Sequence, residues 1–118
     1  GDLLAFSEIE LRGHGKALEE FLRRRRPPAH LRAKVDMHYR ILGHSVEIFE
    51  VRPAWDDPTA RLEHALAKTT FVRSQGHWKL FWMRRDLRWH SYPPTPIAKT
   101  LAAALAVIDR DEHHCFFG

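Results

Sequence analysis

An alternating segment near residue 35 places the strongest constraint on the fold. Val35, Met37, Tyr39 and Ile41 are apolar and alternate with polar residues, which is the pattern of a strand with one buried face. The segment ends at Gly43-His44, and a glycine in the first position of a two-residue turn favours a hairpin. Such a turn fixes the register of the returning strand, because side chains alternate strictly between the two faces of a sheet.

Two predicted hairpins determine which side chains meet across the sheet. The first is predicted to contain the cross-strand pairs Ile41–Val46, Tyr39–Ile48 and Arg40–Glu47. The second is predicted with Gln75-Gly76 at its tip and the pairs Arg73–Trp78, Phe71–Leu80 and Thr69–Trp82. In this register Tyr39 faces the core, and Arg40 faces the opposite side of the sheet.

Helix signals stand on both sides of the predicted hairpins. Ser7 and Glu10 have the spacing of a capping box at a helix start, and Pro27-Pro28 ends that helix. Further along, Thr95 is predicted to cap a second helix, with a proline in its first position. The order of elements predicts one α+β domain over residues 1–118. Its four-stranded antiparallel sheet of two sequential hairpins is flanked by an N-terminal and a C-terminal helix.

Composition excludes several classes of protein. At 118 residues the chain fits a single domain with one core. Its longest apolar run, 101–108, is far shorter than a membrane span of roughly 20 residues, and no charged-then-apolar leader is recognised. A single cysteine excludes an internal disulfide and fits a reducing setting, so we expect a cytoplasmic protein that does not bind membranes. No phosphate loop, dinucleotide fingerprint or nucleophile elbow is present, and we predict no catalytic residue, metal or cofactor.

The net charge of +4 is concentrated in two segments. Residues 12–40 carry nine Lys or Arg against three Asp or Glu, and residues 68–90 carry six against one. Fourteen of the nineteen cations are arginine, which binds phosphate with two parallel hydrogen bonds. We therefore expect a non-enzymatic binding module for an anionic partner, with nucleic acid as the first candidate. The residues predicted to make the contact are Arg84, Arg85, Arg88 and Trp89, supported by Arg23, Arg24, Arg25 and Arg26.

Each part of this predicted contact has a second interpretation. Cations interleave with aromatic rings from Lys68 to Tyr92, as they do on surfaces that bind single-stranded nucleic acid. Trp89 and Tyr92 are equally consistent with residues that latch the second hairpin in place. A charge run such as Arg23 to Arg26 is more commonly a solvated helix end than a phosphate clamp.

Glu50 and Arg52 are anomalous because the predicted register places both on the core face. Glu50 falls beside Met37 there, and a charge on a core face is costly unless it is paired. One interpretation is an ion pair at the strand end, or a bulge that turns both residues to solvent. The other is a polar site that is completed by Trp55, Asp56 and Asp57.

One enzyme class fits part of this pattern. Metal-dependent nucleases of the restriction-enzyme type place an aspartate on one strand and Glu-x-Lys on the next, to hold Mg²⁺ and the attacking water. Asp36 and Glu50-Val51-Arg52 mimic this spacing, but arginine replaces the lysine, and Asp36 falls on the opposite face from Glu50. The alternative to a binding module is therefore a nuclease-like enzyme that uses Glu50, Arg52, Asp56 and Asp57.

The last residues and the second hairpin raise the question of partners. His113-His114-Cys115 contains metal-ligand residue types, but adjacent side chains diverge and no second cluster offers further ligands. Phe116-Phe117 is expected to dock in an apolar groove or, alternatively, to anchor another subunit. Both faces of the strand around Leu80 are apolar, so one face needs a second cover from the tail or a partner chain. This predicts a homodimer, and a protein-interaction subunit is the third functional hypothesis.

Four motifs, in order along the chain, resemble those of a known bacterial family. They are Arg25-Arg26-Pro27-Pro28, residues 50–58 (EVRPAWDDP), residues 78–92 (WKLFWMRRDLRWHSY) and Cys115-Phe116-Phe117-Gly118. Together they are similar to domain-of-unknown-function family 3024, from Phe6 to the last residue. The resemblance implies a small bacterial domain with no assigned activity, cofactor or partner, and it transfers no catalytic residue.

Overall fold

The computed structural model describes residues 6–118; residues 1–5, on which part of the leader prediction rests, lie outside it. The elements are helix α1 (Glu8–Arg25), a 3-10 turn (Ala29–Leu31), strands β1 (Asp36–Leu42), β2 (Ser45–Pro53), β3 (Arg61–Val72), β4 (His77–Met83), β5 (Trp89–Ser91) and β6 (Ile97–Ala98), and helix α2 (Leu101–Arg110). The antiparallel sheet has the order β1-β2-β3-β4-β5, and β6 also pairs with β4. The α+β class and the flanking helices are confirmed, but the sheet has six strands rather than four.

The first hairpin has the predicted register. Gly43 adopts a φ of +58°, which glycine reaches without steric strain, and the chain reverses there between β1 and β2. Tyr39 lies opposite Ile48, and the other predicted pairs are also present. Tyr39 packs against the core, whereas Arg40 lies on the other face beside Glu47. The face assignment made from the sequence is therefore correct for this hairpin.

The second hairpin is shifted by two residues from the predicted register. It has a four-residue turn that ends at Gly76, which takes the left-handed conformation with a φ of +65°. The N–H of Gly76 donates to the carbonyl of Val72 at 2.8 Å and closes the turn. Phe71 consequently lies opposite Trp78 rather than Leu80. Because the shift is an even number of residues, every side chain keeps its predicted face.

The segment after β4 is also drawn into the sheet, which corrects a prediction. The N–H of Leu80 donates to the carbonyl of Pro96 at 3.0 Å, and the N–H of Tyr92 donates to the carbonyl of Leu80 at 2.9 Å. These bonds pair the segment with β4 and keep it out of a helix. Helix α2 therefore begins later than predicted, with Thr100 rather than Thr95 as its N-cap.

Helix α1 begins and ends where the sequence predicts. The Ser7 hydroxyl accepts the N–H of Glu10, and the Glu10 carboxylate accepts the N–H of Ser7, which completes the capping box. Glu10 also contacts Arg73 of the β3–β4 turn at 3.1 Å, so the helix start is fastened to a hairpin. The helix stops at Arg25 because Pro27 disfavours a helical conformation in the residue before it.

Both helices and the tail after α2 pack on one face of the sheet, which we call the covered face. The core there includes Leu18, Phe21, Ile48, Trp78, Leu80, Leu105 and Ile108. Phe116 is 4% exposed and its ring lies 4.8 Å from that of Tyr92, while Phe117 stacks against Phe21. The prediction that both rings dock in an apolar groove is confirmed.

The opposite face of the sheet, which we call the open face, carries no second layer in the part of the chain that the structure describes. It presents alternate strand residues, among them Arg40, Glu63, Lys68, Lys79, Phe81 and Trp89. Most of these side chains are exposed or partly exposed. The tail lies on the covered face, so it does not supply the second cover expected from the sequence, and the homodimer stays a prediction.

Candidate anion-binding surface

The turn between β4 and β5, which we call the arginine turn, exposes the side chains of Arg84, Arg85 and Arg88. Its backbone closes where the N–H of Leu87 donates to the carbonyl of Arg84 at 2.9 Å, and Leu87 has a φ of +59°. Asp86 accepts the N–H of Arg88 at 3.0 Å and contacts a ring nitrogen of His90 at 2.7 Å. His90 is the largest cause that lowers the pKa of Asp86. The one carboxylate of the turn is thus engaged in holding its shape.

The three guanidinium groups of the arginine turn have no carboxylate partner within residues 6–118. Arg84 lies over the ring of Trp82, with its central carbon 5.5 Å from the ring centroid. Beside them is an open cleft of about 510 Å³, lined by Trp82, Met83, Arg84, Arg85 and Asp86. Guanidinium groups in this state can form paired hydrogen bonds to a phosphate or carboxylate.

Next to the arginine turn, the open face carries a group of residues that we call the cationic platform: Lys68, Lys79, Phe81 and Trp89. Lys68 lies opposite Phe81, and its Nζ atom is 5.6 Å from the Phe81 centroid and 5.9 Å from the Trp89 centroid. Both rings are partly exposed, and Lys79 is exposed. Neither lysine has a carboxylate partner among the described residues. Trp89 pairs with Met83 across the sheet, so it closes β5 onto β4 while presenting part of its ring to solvent.

On the other half of the open face, one arginine is paired with two carboxylates. Arg40 lies 3.4 Å from Glu47 and also pairs with Glu63. Its guanidinium carbon sits 4.0 Å from the ring centroid of Phe49, which it helps to bury. The positive charge of the open face that lacks a partner is therefore on the side of β3 to β5.

The predicted arginine run at the end of α1 makes ion pairs within the chain. Arg23 contacts Glu20 at 2.5 Å, Arg24 contacts Glu20 at 3.5 Å and Asp109 at 3.7 Å, and Arg25 contacts Asp109 at 2.8 Å. Arg26 forms two hydrogen bonds with Asp36, at 2.7 and 2.8 Å. These contacts tie α1 to α2 and to β1. They favour the interpretation of a helix end over that of a phosphate clamp.

The Glu50 and Arg52 anomaly resolves as an ion pair near the end of β2. Glu50 lies opposite Met37, as predicted, but the two charged groups contact each other at 3.4 Å and Arg52 is 59% exposed at its side chain. Nearby, β3 carries a bulge, because Ile48 pairs with Ala67 and the next β2 residue pairs with Ala65. The anomaly therefore does not require a buried charge.

The remaining residues of the predicted polar site do not join this pair in the described structure. Trp55 is 94% exposed, and Asp57 accepts hydrogen bonds from the backbone and hydroxyl of Thr59. Those bonds lower the pKa of Asp57. Asp56 is exposed in the same loop. No hydrogen bond or ion pair links Trp55, Asp56 or Asp57 to Glu50 or Arg52 within residues 6–118.

The carboxylates required by the nuclease-like alternative are separated. Asp36 lies opposite Val51, so it points away from Glu50, and it is engaged by Arg26. Arg26 is the main reason that the pKa of Asp36 is lowered to about 2. Among the described residues no group of three or more His, Cys, Asp or Glu side chains is placed to hold a metal ion. The geometry therefore gives this alternative no constellation on which to act.

Sequence analysis missed two partly buried histidines that pack against Phe6. The ring of His14 lies 4.4 Å from that of Phe6 and 5.1 Å from that of Trp78, and the ring of His44 lies 5.2 Å from that of Phe6. Both Nε2 atoms are buried, without a hydrogen-bond partner in the described chain. Burial lowers the pKa of His14. The one available signal was the position of His14 four residues before Leu18, on the apolar stripe of α1.

Comparison with known proteins identifies the family but gives no activity. The family model described as "Domain of unknown function (DUF3024)" matches residues 6–118. Neither a curated protein nor a solved structure matches the chain. Neither helix of the described residues combines the length and the apolar composition that a membrane span requires. The chain therefore belongs to the DUF3024 family, whose function is unknown.

Proposed function

We propose that the protein is a non-enzymatic binding module for nucleic acid, engaged through the arginine turn and the cationic platform. One observation carries this proposal: five cations on β3, on β4 and in the turn after β4 lack carboxylate partners in the described chain, and aromatic rings lie among them. They are Arg84, Arg85, Arg88, Lys68 and Lys79. Cations that are not neutralised within their own chain can exchange counterions for the phosphates of a polyanion.

Charge also favours an anionic polymer over a second copy of the chain on the open face. Two copies that met through this half of the sheet would bring like charges together, which is costly. On the neighbouring strands, the carboxylates of Glu47 and Glu63 are both paired with Arg40. The predicted homodimer competes for the same face, and light scattering distinguishes a 13.8 kDa species from one of twice that mass.

A reducing, cytoplasmic setting is part of the proposal. The thiol of Cys115 is free and partly buried. Burial, followed by the charge of Asp111, raises the pKa of Cys115, which keeps the sulfur in its less reactive protonated form.

The test is binding of a short labelled oligonucleotide, followed by fluorescence anisotropy across a range of salt concentrations. If all five cations contact phosphates, the logarithm of the binding constant falls with a slope of about −3.5 for a single strand and −4.5 for a duplex. The single-strand affinity then drops ~100-fold between about 50 and 200 mM salt. No measurable binding at ~50 mM salt contradicts the proposal.

A matched pair of variants separates the arginine turn from net charge. The test variant combines Arg84→Gln, Arg85→Gln and Arg88→Gln. The control combines Arg12→Gln, Lys16→Gln and Arg110→Gln, which removes the same charge from exposed helix positions. We expect the test variant to lose most of the affinity, and to lose about two units of slope on a single strand relative to the control. Equal losses in both variants would mean that net charge alone attracts the ligand.

A further inference from the structure

We infer that the ligand is single-stranded, with unpaired bases stacked on Phe81 and Trp89. The inference rests on the proposed function and names its substrate class. It follows from the arrangement of the cationic platform, which presents two aromatic rings as well as positive charge.

The two rings are diagonal neighbours on adjacent strands. Phe81 lies opposite Ser91, and Trp89 precedes Ser91 by two residues on the same side of β5. Diagonal neighbours in an antiparallel pair are separated by roughly 7–8 Å. Both rings are partly exposed on the open face, where no other part of the described chain covers them. Two successive bases can therefore each rest on one ring, as bases do on other sheet platforms.

The Lys68 ammonium lies over both of these rings. Its distances of 5.6 Å to Phe81 and 5.9 Å to Trp89 are within the range of a cation–π contact with both. A phosphate that links two bases stacked on the rings would pass close to this ammonium. The ring contacts of Lys68 are weak and solvent-accessible, so it can leave them for a phosphate and uncover the ring faces.

The rest of the ligand's sugar–phosphate backbone can run along β4. Lys79 lies two residues before Phe81, and Met83 lies two residues after it, immediately before Arg84. From Lys79 to Arg84 the strand covers about 17 Å at ~3.4 Å per residue. Lys79 thus stands on the open face beside the aromatic pair, while Arg84, whose guanidinium lies over Trp82, stands at the edge of the sheet just beyond it.

A duplex does not fit these features as well. Its base faces are hidden within the stack, so exposed rings on a sheet have nothing to bind. Reading a duplex in the major groove commonly uses a helix or a protruding ribbon. Here both helices pack on the covered face, on the other side of the sheet from the rings.

The experiment compares three unmodified probes on the folded, full chain: oligothymidylate, a duplex of the same length, and inorganic polyphosphate. We expect oligothymidylate to bind at least about fivefold more tightly than either of the others, since stacking adds to the phosphate contacts. Phe81→Leu and Trp89→Leu should each weaken oligothymidylate binding ~5- to 150-fold and leave polyphosphate binding nearly unchanged. Trp55→Leu removes an aromatic side chain that is 94% exposed in the β2–β3 loop, and serves as the matched control.

A second readout uses the wild-type protein, in case a ring variant does not fold. The indole N–H signal of Trp89, followed by NMR, should shift further with oligothymidylate than with polyphosphate, because a stacked base adds its effect to that of moving Lys68 away from the ring. Equal affinity for all three probes with no effect of the ring variants overturns the single-strand inference and leaves the proposed function standing. Failure of all three probes to bind overturns both. A stable dimer that excludes oligothymidylate from the rings also overturns the inference.

Discussion

Arg26 and Asp36 form a bidentate ion pair between the C-cap residue of α1 and the first residue of β1. The Nε–Oδ1 and Nη2–Oδ2 distances are 2.7 and 2.8 Å. Asp36 also accepts the N–H of Met37 at 2.8 Å, so its carboxylate is bonded on both sides. Pro27-Pro28 ends the helix immediately before this point. The pair therefore fixes the angle at which the chain leaves α1 and enters the sheet.

Removing one partner of this pair should destabilise the protein. We expect Asp36→Asn to lower the free energy of unfolding by about 2 kcal/mol, as is typical for a charged hydrogen bond shielded from water. Urea unfolding measures the change. Glu20→Gln, which breaks exposed ion pairs on the same helix, is the control and should cost less than about 0.5 kcal/mol. Equal effects of the two substitutions would mean that the Arg26 contact is no stronger than a surface pair.

The lowered pKa of the Asp36 carboxylate predicts how the stability of the protein responds to acid. Because the folded-state pKa of Asp36 is about 2, below its ordinary value of 3.8, folding is favoured by its charged form. Its contribution is fully present above the ordinary pKa and is lost as pH falls from there through about 2. The stability difference between the wild type and Asp36→Asn should accordingly shrink over this window in urea unfolding. A difference that stays constant down to the acid end would contradict the lowered pKa.

His14 predicts a second dependence on pH, closer to neutrality. Burial lowers its pKa below the ordinary 6.5, and Glu10 opposes the shift in part. The folded protein thus favours the neutral ring, and stability should decline as pH falls from about 6.5. His14→Phe, which keeps a ring against Phe6 and Trp78, should flatten this part of the profile of melting temperature against pH. His30→Gln changes an exposed histidine and should leave the profile as it is.

The docked tail should carry a large share of the stability. Asp111 is the C-cap of α2, with a φ of +44°, and its carboxylate accepts the N–H groups of Phe116 and Phe117 at 3.0 and 2.9 Å. We expect Phe116→Ala to cost about 3 kcal/mol, since its ring is fully packed against Tyr92. Phe117→Ala should cost less than half as much, because that ring is partly exposed. Chemical denaturation measures both, and equal small losses would show that the tail is only loosely held.

Much of the fold could be predicted from residues that are neighbours in the sequence. The Ser7 capping box, the stop at Pro27-Pro28 and the Gly43 turn each depend on a few adjacent positions, and all three are confirmed. The prediction failed at Thr95, because local preference for a helix was weaker than hydrogen bonding of the following residues to β4. The strand formed by residues 97–98 exists only because β4 is already in place beside it.

The candidate site, too, depends partly on neighbouring residues in the sequence and partly on contacts between distant ones. The sequence alone predicted the three arginines of the turn and Trp89 as residues that contact an anionic partner. It ranked the run at Arg23 to Arg26 as a supporting contact, but it could not show whether those arginines are neutralised within the chain. That neutralisation depends on Asp109, which lies 84 residues from Arg25 along the chain and in contact with it in the fold. Whether a cation is available to a ligand is decided by such distant partners.

By itself the sequence determined that two helices flank two hairpins, and on which face the paired residues of those hairpins lie, because side-chain alternation and turn chemistry act over a few residues. Only the tertiary structure decided that both helices and the tail share one face and leave the other open. It also decided which charges are neutralised, since ion pairing depends on distance in space. Local patterns specify elements, and the packing of those elements specifies which surface remains for a partner.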